Sequence, residues 1–313
     1  KEGDFSHIQT LVRHIFGEQY ELGMDYLQLL YLQPVQKLPI LLLVSEERNT
    51  GKSTFLNFLK AVFRNNVTFN TNEDFRSQFN ADWTGKLVIV VDEVLLNRRE
   101  DSERLKNLST TLSYKVEAKG KDRDEIAFFA KFVLCSNNES LPVIIDPGEI
   151  RYWVRKIYRL ESDDTNFLQK LTAEIPAFLY FLQHRKLTTR QESRMWFSPK
   201  LTETPALQRI IRCNRGKHEV EAMELIREIM DNMEIESFSF CLNDLLNLLN
   251  LSGVKIEKHQ LRRIVTESWK LTPAPNGLTY TSYQFAYNKE RRFAPIKRVG
   301  RFYTVSRTLL DEL

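Results

Sequence analysis

A short polar loop between two apolar segments carries the residues with the clearest chemical potential. The letters SEERNTGKSTF, residues 45–55, follow the apolar run LPILLLV and precede LNFLKAVF. A Gly-Lys-Ser triplet between a strand and a helix is typical of a loop whose backbone N–H groups surround phosphate. Lys52 would neutralise the β and γ phosphates of ATP, and the Ser53 hydroxyl would ligate Mg²⁺. Gly51 permits close approach because it has no Cβ.

The start of this loop departs from the usual pattern, because Glu46 stands where such a loop normally carries its first glycine. The groups that touch phosphate lie mostly in the second half, which is intact from Asn49 to Ser53. We therefore expect the Glu46 side chain to point away from the phosphates, toward Arg48 or solvent. The short triplet by itself is a weak signal, and a second element is needed.

A pair of carboxylates supplies that second element. The letters LVIVVDEV place Asp92 and Glu93 at the carboxyl end of an apolar strand, about 40 residues after Lys52. Ligands of α/β sheets bind at that edge. Asp92 there can hold Mg²⁺, and Glu93 can activate a water for attack on the γ-phosphate. The ordinary alternative is a solvated strand end followed by a turn, which explains one acid more readily than two. The loop and the carboxylates together predict an ATPase.

A third polar element follows another apolar strand in FVLCSNN. The neutral amide of Asn137 at this strand end can hold the attacking water or touch the γ-phosphate. The alternative is a turn residue, since Asn-Asn pairs are common in turns.

The elements that must position these residues alternate between strands and helices. Apolar runs predict strands at 38–44, 87–91 and 129–135, and an amphipathic pattern predicts a helix at 52–64. Continuous apolar strands are typical of a sheet covered on both faces. Residues 38–160 are therefore predicted to form an α/β sandwich with a mainly parallel core. A short helix with an asparagine cap is predicted in NEDFRSQFN. Two helices are predicted over 4–33, broken near Gly17.

The remainder of the chain has a different pattern. A helical stretch containing Pro176 ends near residue 187, and the polar, basic residues 188–217 are the best candidate for a linker. Helical patterns over 218–269 are followed by short strands in GLTYTSYQFAY and GRFYTV, the order of a winged-helix domain. We therefore divide the chain into an N-terminal helical segment (1–37), an ATPase domain (38–187), the linker, and a winged-helix-like basic domain (218–313).

The last domain carries a basic surface interleaved with aromatic residues. The letters AYNKERRFAPIKRVGRFYTVSR include Arg291 and Arg292, and Arg262 and Arg263 lie on the third predicted helix. Binding of DNA phosphates by this face is one interpretation. A winged helix that packs on a neighbouring domain, with its arginines solvated, is the other.

The composition limits the classes of protein to which this chain can belong. The chain has 313 residues, 42% of them hydrophobic and 27% charged, with a net charge of +4. Its three scattered cysteines lack a Cys-x-x-Cys spacing and favour a reducing compartment. The longest apolar run, 38–44, is too short to span a bilayer. We expect a soluble, cytoplasmic protein of a bacterial or phage-infected cell. Because the first residue is Lys1, we also expect a fragment of a longer protein.

The three motifs in this order resemble a known family. NTGKS, VIVVDE and VLCSN look like motifs A, B and C of superfamily 3 helicases, which are AAA+-like, and the closest resemblance is to the helicase part of phage and poxvirus-type primase-helicases. The resemblance covers roughly residues 5–160. It implies that Asp92 is the Mg²⁺ carboxylate, Glu93 the base and Asn137 the sensor. The nucleotide-binding set would be Asn49, Thr50, Gly51, Lys52, Ser53 and Thr54.

Two further features follow from the resemblance. The family places a hairpin between motifs B and C whose basic tip grips single-stranded DNA, and SYKVEAKGKDRDEIAFFAKF fits with Lys119 and Lys121 at the tip. An ordinary solvated turn is the alternative. The family also presents an arginine to the nucleotide of the next subunit. Arg151 is the first choice and Arg155 the second, although either can be a structural ion-pair partner.

The leading hypothesis is an ATP-driven DNA helicase that moves on single-stranded DNA as a ring, expected to be a hexamer. The resemblance suggests a primase in the missing N-terminal part. A second hypothesis is a DNA-binding replication initiator or scaffold that uses nucleotide only to assemble. A third, weaker one is an ATPase that acts on proteins.

Overall fold

The computed structural model describes residues 2–77, 81–116, 124–160, 164–286 and 292–313. The chain divides into two compact units, the first ending at Asn214 and the second beginning at Arg215.

A parallel sheet forms the centre of the first unit. The strands of this unit are β1 (Ile40–Val44), β2 (Val67–Asn70), β3 (Val88–Val91), β4 (Ser113–Val116), β5 (Asp124–Ala127), β6 (Lys131–Ser136) and β7 (Tyr152–Lys156). Five of them form one sheet in the order β2-β3-β6-β1-β7, and every neighbouring pair is parallel. The predicted α/β architecture with a parallel core is confirmed. Strands β2 and β7, which the sequence analysis did not name, complete the two edges.

Helices cover both faces of this sheet. They are α1 (Ser6–Phe16), α2 (Tyr20–Leu32), α3 (Lys52–Phe63), α4 (Asn72–Arg76), α5 (Arg99–Thr110), α6 (Phe167–His184), α7 (Pro199–Thr202) and α8 (Pro205–Cys213). Leu41 and Leu43 pack in one apolar cluster with α1, α2, α3 and α6, whereas Leu42 and Val44 pack in another with α5 and α8. This division follows from the strand geometry, since successive side chains point to opposite faces.

Two local features explain where the early helices begin and end. Gly17 has φ +50°, a conformation that favours glycine, and it separates α1 from α2 as predicted. The short helix α4 is present, but its cap is Thr71 and not an asparagine. The Thr71 hydroxyl accepts from the N–H of Asp74, whose carboxylate accepts from the N–H of Thr71. This reciprocal pair is a capping box.

The segment 188–217, expected to be a linker, is largely part of the first unit. It carries α7 and α8, and the side chains of Met195, Trp196 and Phe197 are buried. The polar composition hid these contacts, because a few well-placed apolar residues suffice to hold a segment against a core.

The second unit combines helices with small antiparallel sheets. Its elements are α9 (Lys217–Met233), β8 (Ser237–Phe240), α10 (Leu242–Leu251), α11 (Lys258–Arg263), β9 (Leu278–Phe285), β10 (Phe293–Gly300), β11 (Tyr303–Ser306) and α12 (Arg307–Glu312). Strands β9 and β10 form a hairpin, and β8 pairs with β11. Strand β8 interrupts a stretch in which only helices were predicted. Within the described ranges, no helix has both the length and the apolar character needed to cross a bilayer.

A buried carboxylate joins α2 to the segment that follows α6. Asp25 has no exposed surface, and it accepts hydrogen bonds from Arg185 and from the N–H and hydroxyl groups of Thr188 and Thr189. The chain after α6 is thereby fixed against α2.

We expect Asp25→Asn to lower the free energy of unfolding by about 3 kcal/mol, because it removes the buried charge partner of the Arg185 guanidinium and leaves only the solvent-exposed Glu21. Urea denaturation of the whole chain measures this. Glu21→Gln is the matched control: Glu21 contacts the same guanidinium at 2.7 Å but is solvent-exposed, so its loss should cost less than about 1 kcal/mol. Equal effects of the two variants would contradict the role given to Asp25.

Candidate functional site

The loop between β1 and α3 presents a run of unpaired backbone donors. Asn49 and Gly51 adopt left-handed conformations, with φ of +57° and +79°. The N–H groups from Arg48 to Thr54 donate to no acceptor within the described part of the chain, and the first bond of the helical pattern runs from the N–H of Phe55 to the carbonyl of Gly51. Such consecutive free N–H groups at the start of a helix can hold an anion.

Lys52 adds a positive charge to this loop. The side chain is largely buried, and Nζ donates to the carbonyl of Ser45 at 3.3 Å. Burial lowers the pKa of Lys52, while the nearby negative charges of Asp92 and Glu139 oppose that shift. The cation is therefore held by a carbonyl of the loop itself and lies near two carboxylates on other elements.

The two predicted carboxylates follow β3 at the same edge of the sheet. Asp92 is half-buried, and its Oδ1 accepts from the N–H of Glu93 at 3.0 Å. Glu93 has φ +52° and an exposed side chain. Asn72 fixes this turn, since its amide donates to the Glu93 carbonyl and accepts from the N–H of Leu95. The Asp92 carboxyl group is thus half-buried at the end of the sheet, and the Glu93 carboxyl group lies in solvent.

Asn137 reaches this edge from β6, which lies between β3 and β1. Its side chain is exposed and has no hydrogen-bond partner among the residues that the structure describes. The neighbouring Ser136 hydroxyl is engaged instead, donating to the carbonyl of Val94 at 2.9 Å and accepting from the N–H of Asn138. The structure therefore brings the loop, Asp92 and Asn137 to one edge and leaves the Asn137 amide available.

Glu139 is a buried carboxylate beside the loop that the sequence analysis missed. It is 3% exposed and accepts from the N–H of Glu46 (3.1 Å), from Lys156 Nζ (3.0 Å) and from Arg209 Nη1 (2.8 Å). Burial would raise the pKa of Glu139, but the Lys156 and Glu46 hydrogen bonds and the charges of Lys156 and Arg209 hold it below its ordinary value. No sequence pattern identifies it, because its partners lie on the loop, β7 and α8.

The Glu46 side chain points away from the donor groups of the loop, but not toward Arg48. It is exposed, and its Oε1 lies 3.4 Å from Arg209 Nη2. The same guanidinium thus contacts both Glu46 and Glu139. Glu46, which replaces the usual first glycine, is therefore paired with an arginine of α8.

Other neighbours hold the rest of the loop. The ring of His14 on α1 contacts the Thr50 carbonyl through Nε2 at 2.9 Å, and the N–H of Leu160 donates to the Asn49 carbonyl at 3.0 Å. The N–H of Arg159 donates to the Glu47 carboxylate at 2.9 Å. The contacts use carbonyls and side chains of the loop and leave its later N–H groups free.

The two candidate arginines occupy different places. Arg151 precedes β7 at the amino edge of the sheet, away from the loop, and its Nη1 binds both oxygens of Glu149 at 2.8 and 2.7 Å. Arg155 pairs in register with Leu43 near the carboxyl edge and donates to Gln19 Oε1 at 2.8 Å. Burial lowers the pKa of Arg155. Within one chain, neither guanidinium is placed among the loop's free donors.

A cavity adjoins the loop near Arg155. It has a volume of about 440 Å³, and its lining includes Glu18, Arg155, Lys156, Tyr158 and Arg209. The lining also includes Glu139, so the cavity borders the groups that hold the start of the loop.

The expected DNA-binding hairpin is described only in its two strands. β4 and β5 pair antiparallel, as the sequence analysis required, but Lys119 and Lys121 lie outside the described residues. Their placement stays a prediction.

The basic residues of the second unit differ in their surroundings. Arg262 is exposed on α11, while Arg263 pairs with Glu267 at 3.3 Å. Arg292 is paired with Glu228 and lies over the rings of Phe285 and Phe293. Arg291 lies outside the described residues. Arg263 and Arg292 are thus engaged in contacts within the chain.

The donor set suits Mg²⁺ bound together with a phosphate ligand. No group of three or more His, Cys, Asp or Glu side chains in the described ranges is arranged to hold a metal ion. Mg²⁺ commonly binds through one or two protein oxygens, substrate phosphates and water. The exposed Ser53 hydroxyl and the Asp92 carboxylate supply oxygens of that kind.

Comparison with known proteins agrees with this architecture. A family model described as a family of unknown function, DUF5906, matches residues 43–151, from β1 to the residue before β7. No curated protein matches the chain. Among solved structures, the apo structure of the NrS-1 C-terminal region (305–718) is similar with a TM-score of 0.67 and 17% identity, covering 97% of this chain and 76% of that chain. An A-form apo structure of the same region has a TM-score of 0.63 and 17% identity, covering 94% and 75%. At this identity the likeness shows the fold.

We expect Glu139→Gln to destabilise the protein by about 2 kcal/mol at pH 7, because it weakens charge-assisted hydrogen bonds to a buried group. The folded-state pKa of Glu139 is lowered, so its stabilisation is present above the unfolded pKa of about 4.3. That stabilisation is lost as the pH falls through the folded value. Unfolding measured from pH 7 to pH 3 should show the wild type and the variant converging. Glu46→Gln, which changes the exposed partner of Arg209, is the control and should have little effect.

Proposed function

We propose that this chain is an ATP-hydrolysing motor that moves on single-stranded DNA, acting as the helicase part of a phage-type replication protein. The observation that carries the proposal is the run of free N–H groups from Arg48 to Thr54 beside Lys52, with Asp92 and Asn137 at the same sheet edge. Free donors at the start of a helix, a cation and a carboxylate form a set suited to a triphosphate with Mg²⁺.

The similarity of fold to a solved structure supports a role in phage replication. NrS-1 is a phage primase-helicase, and its C-terminal region is similar to this chain over nearly the whole length. The order of the motifs, from NTGKS through VIVVDE to VLCSN, supports the finer assignment to a superfamily 3 helicase with a phosphate-loop core. In the second unit, the β9–β10 hairpin after α11 supports a winged-helix-like arrangement.

Each residue of the site has a role in this proposal. Bound ATP would supply the phosphoanhydride bond, and Mg²⁺ would neutralise charge on the transferred phosphoryl group. The N–H groups of residues 49–54 and Lys52 bind the phosphates, and Ser53 and Asp92 hold the metal. Glu93 accepts a proton from the attacking water, and the Asn137 amide orients that water.

Assembly and DNA contact complete the proposal. The chain works as a ring, which we propose to be a hexamer, and Arg151 or Arg155 of one subunit faces the nucleotide of the next. Lys119 and Lys121 contact the DNA backbone, and the second unit adds phosphate contacts through Arg262.

We expect Lys52→Ala and Glu93→Gln each to reduce ATP hydrolysis at least about 100-fold, because they remove the phosphate-binding cation and the general base. Steady-state hydrolysis with and without single-stranded DNA measures this. Lys52→Ala should also weaken nucleotide binding, whereas Glu93→Gln should retain it.

Lys60→Ala on the same helix is the control, since Lys60 Nζ donates to the Val67 carbonyl rather than reaching the loop. Absence of DNA stimulation, with both variants still supporting DNA binding and assembly, would contradict the motor. That result would favour the alternative of a replication initiator or scaffold.

We expect Glu46→Gly to leave the affinity for ATP within about fivefold of the wild type, because the change removes only an exposed ion pair with Arg209. Titration with a fluorescent ATP analogue measures the affinity. A large gain in affinity would show that this acid opposes nucleotide binding.

A further inference from the structure

A second cavity lies at the opposite edge of the sheet, before β1 begins. We call it the amino-edge cavity; it has a volume of about 620 Å³ and is lined by Leu32, Gln33, Pro34, Val35, Gln36, Lys37, Thr110, Leu112, Gln191 and Arg194. The strands are parallel and the phosphate loop follows β1, so this cavity is separated from the loop by the length of the sheet.

The charged residues in the described lining of this cavity are positive. Among the residues that the structure describes, its lining includes Lys37 and Arg194 and no acidic residue. Lys37 Nζ donates to the carbonyl of Phe128 at 2.8 Å, and the exposed Arg194 guanidinium has no partner among the described residues.

A buried lysine behind the cavity adds to this charge. Lys131, at the first position of β6, is 2% exposed and donates to the carbonyl of Pro34, a residue of the cavity wall. Neither Lys131 nor Lys37 pairs with a carboxylate within the described ranges. Burial, together with the smaller effect of the charge of Lys37, lowers the pKa of Lys131 to about 7. Burial lowers the pKa of Lys37 to about 8. A bound anion would favour the charged forms of both.

The uncharged part of the lining suits a sugar and a base better than a bare ion. Val35 and Leu112 are 73% and 78% exposed, an unusual degree for aliphatic side chains that share one concave surface. The amides of Gln33 and Gln191 are exposed and make no side-chain hydrogen bond in the described structure. The cavity thus combines cations, free amides and apolar surface.

The cavity also borders the root of the β4–β5 hairpin. The carbonyl of Leu112, which precedes β4, accepts from the N–H of Phe128, which follows β5, at 2.9 Å. Leu112 lines the cavity, and the Phe128 carbonyl holds Lys37. An occupant of the cavity would therefore touch the residues from which the hairpin extends.

We propose that the amino-edge cavity binds a phosphodiester of single-stranded DNA, with Arg194 and Lys37 contacting the phosphate and Val35 and Leu112 covering the adjacent nucleoside. The choice of DNA rests on the proposed function. Inorganic phosphate presents the same kind of charged oxygens as a DNA phosphodiester, so the experiment compares these two ligands.

The test compares two charge reversals in the full chain, without nucleotide, by fluorescence anisotropy of a labelled oligothymidylate. Arg194→Glu changes the cavity. Arg212→Glu is the matched control, because Arg212 is an exposed arginine on α8 with no side-chain partner in the described structure. We expect Arg194→Glu to weaken binding at least about fivefold more than Arg212→Glu. Arg194→Ala should lower the slope of log affinity against log salt by about one, the contribution of one phosphate contact.

A second measurement follows Lys37 directly through its acylation by an amine-reactive reagent, read by mass spectrometry. Its lowered pKa makes it reactive near neutral pH, and we expect the oligothymidylate to protect it in the wild type but not in Arg194→Glu. Thermal unfolding by circular dichroism verifies that both reversals remain folded. Protection of Lys37 by inorganic phosphate but not by the oligonucleotide would overturn the assignment to DNA.

The outcomes separate this inference from the proposed function. Equal loss of binding in Arg194→Glu and Arg212→Glu, or no loss in either, would overturn the cavity as a DNA site and leave the motor untouched. Selective loss in Arg194→Glu in a protein that hydrolyses no ATP would support the cavity and overturn the motor.

Discussion

The candidate site depends on a loop that keeps its backbone donors free. A connection between a buried strand and a helix would ordinarily satisfy its N–H groups within the chain, since unpaired backbone groups are costly when they lose water. Here the loop is held through its other groups. His14 and the N–H of Leu160 bind the carbonyls of Thr50 and Asn49, and Glu139 binds the first N–H of the loop at Glu46. The donors that remain are those from Arg48 to Thr54.

The elements that supply these contacts come from distant parts of the sequence. α1 contributes His14, β7 contributes Lys156, and α8 contributes Arg209. The first unit therefore needs its N-terminal helices and the segment after α6 in order to shape the loop. This requirement explains why the fold of the first unit continues to Asn214 and does not end with the central sheet.

Lysines lie at both edges of the sheet, but their partners differ. At the carboxyl edge, Lys52 lies near the carboxylates of Asp92 and Glu139. At the amino edge, Lys37 and Lys131 have only backbone carbonyls as acceptors in the described structure. The first arrangement suits a ligand that brings its own metal ion, and the second suits an anion alone.

The sequence by itself determined the strands β1, β3 and β6, the helix α3 and the positions of the Gly-Lys-Ser triplet, Asp92 and Asn137. These follow from local patterns, because apolar runs specify buried strands and the residues after them must lie at one edge of a parallel sheet. The tertiary structure decided the role of Glu139, the direction of Glu46 toward Arg209, and the engagement of Arg151 by Glu149. Such contacts join residues far apart in the chain, so their geometry exists only once β7 and α8 have packed beside the loop.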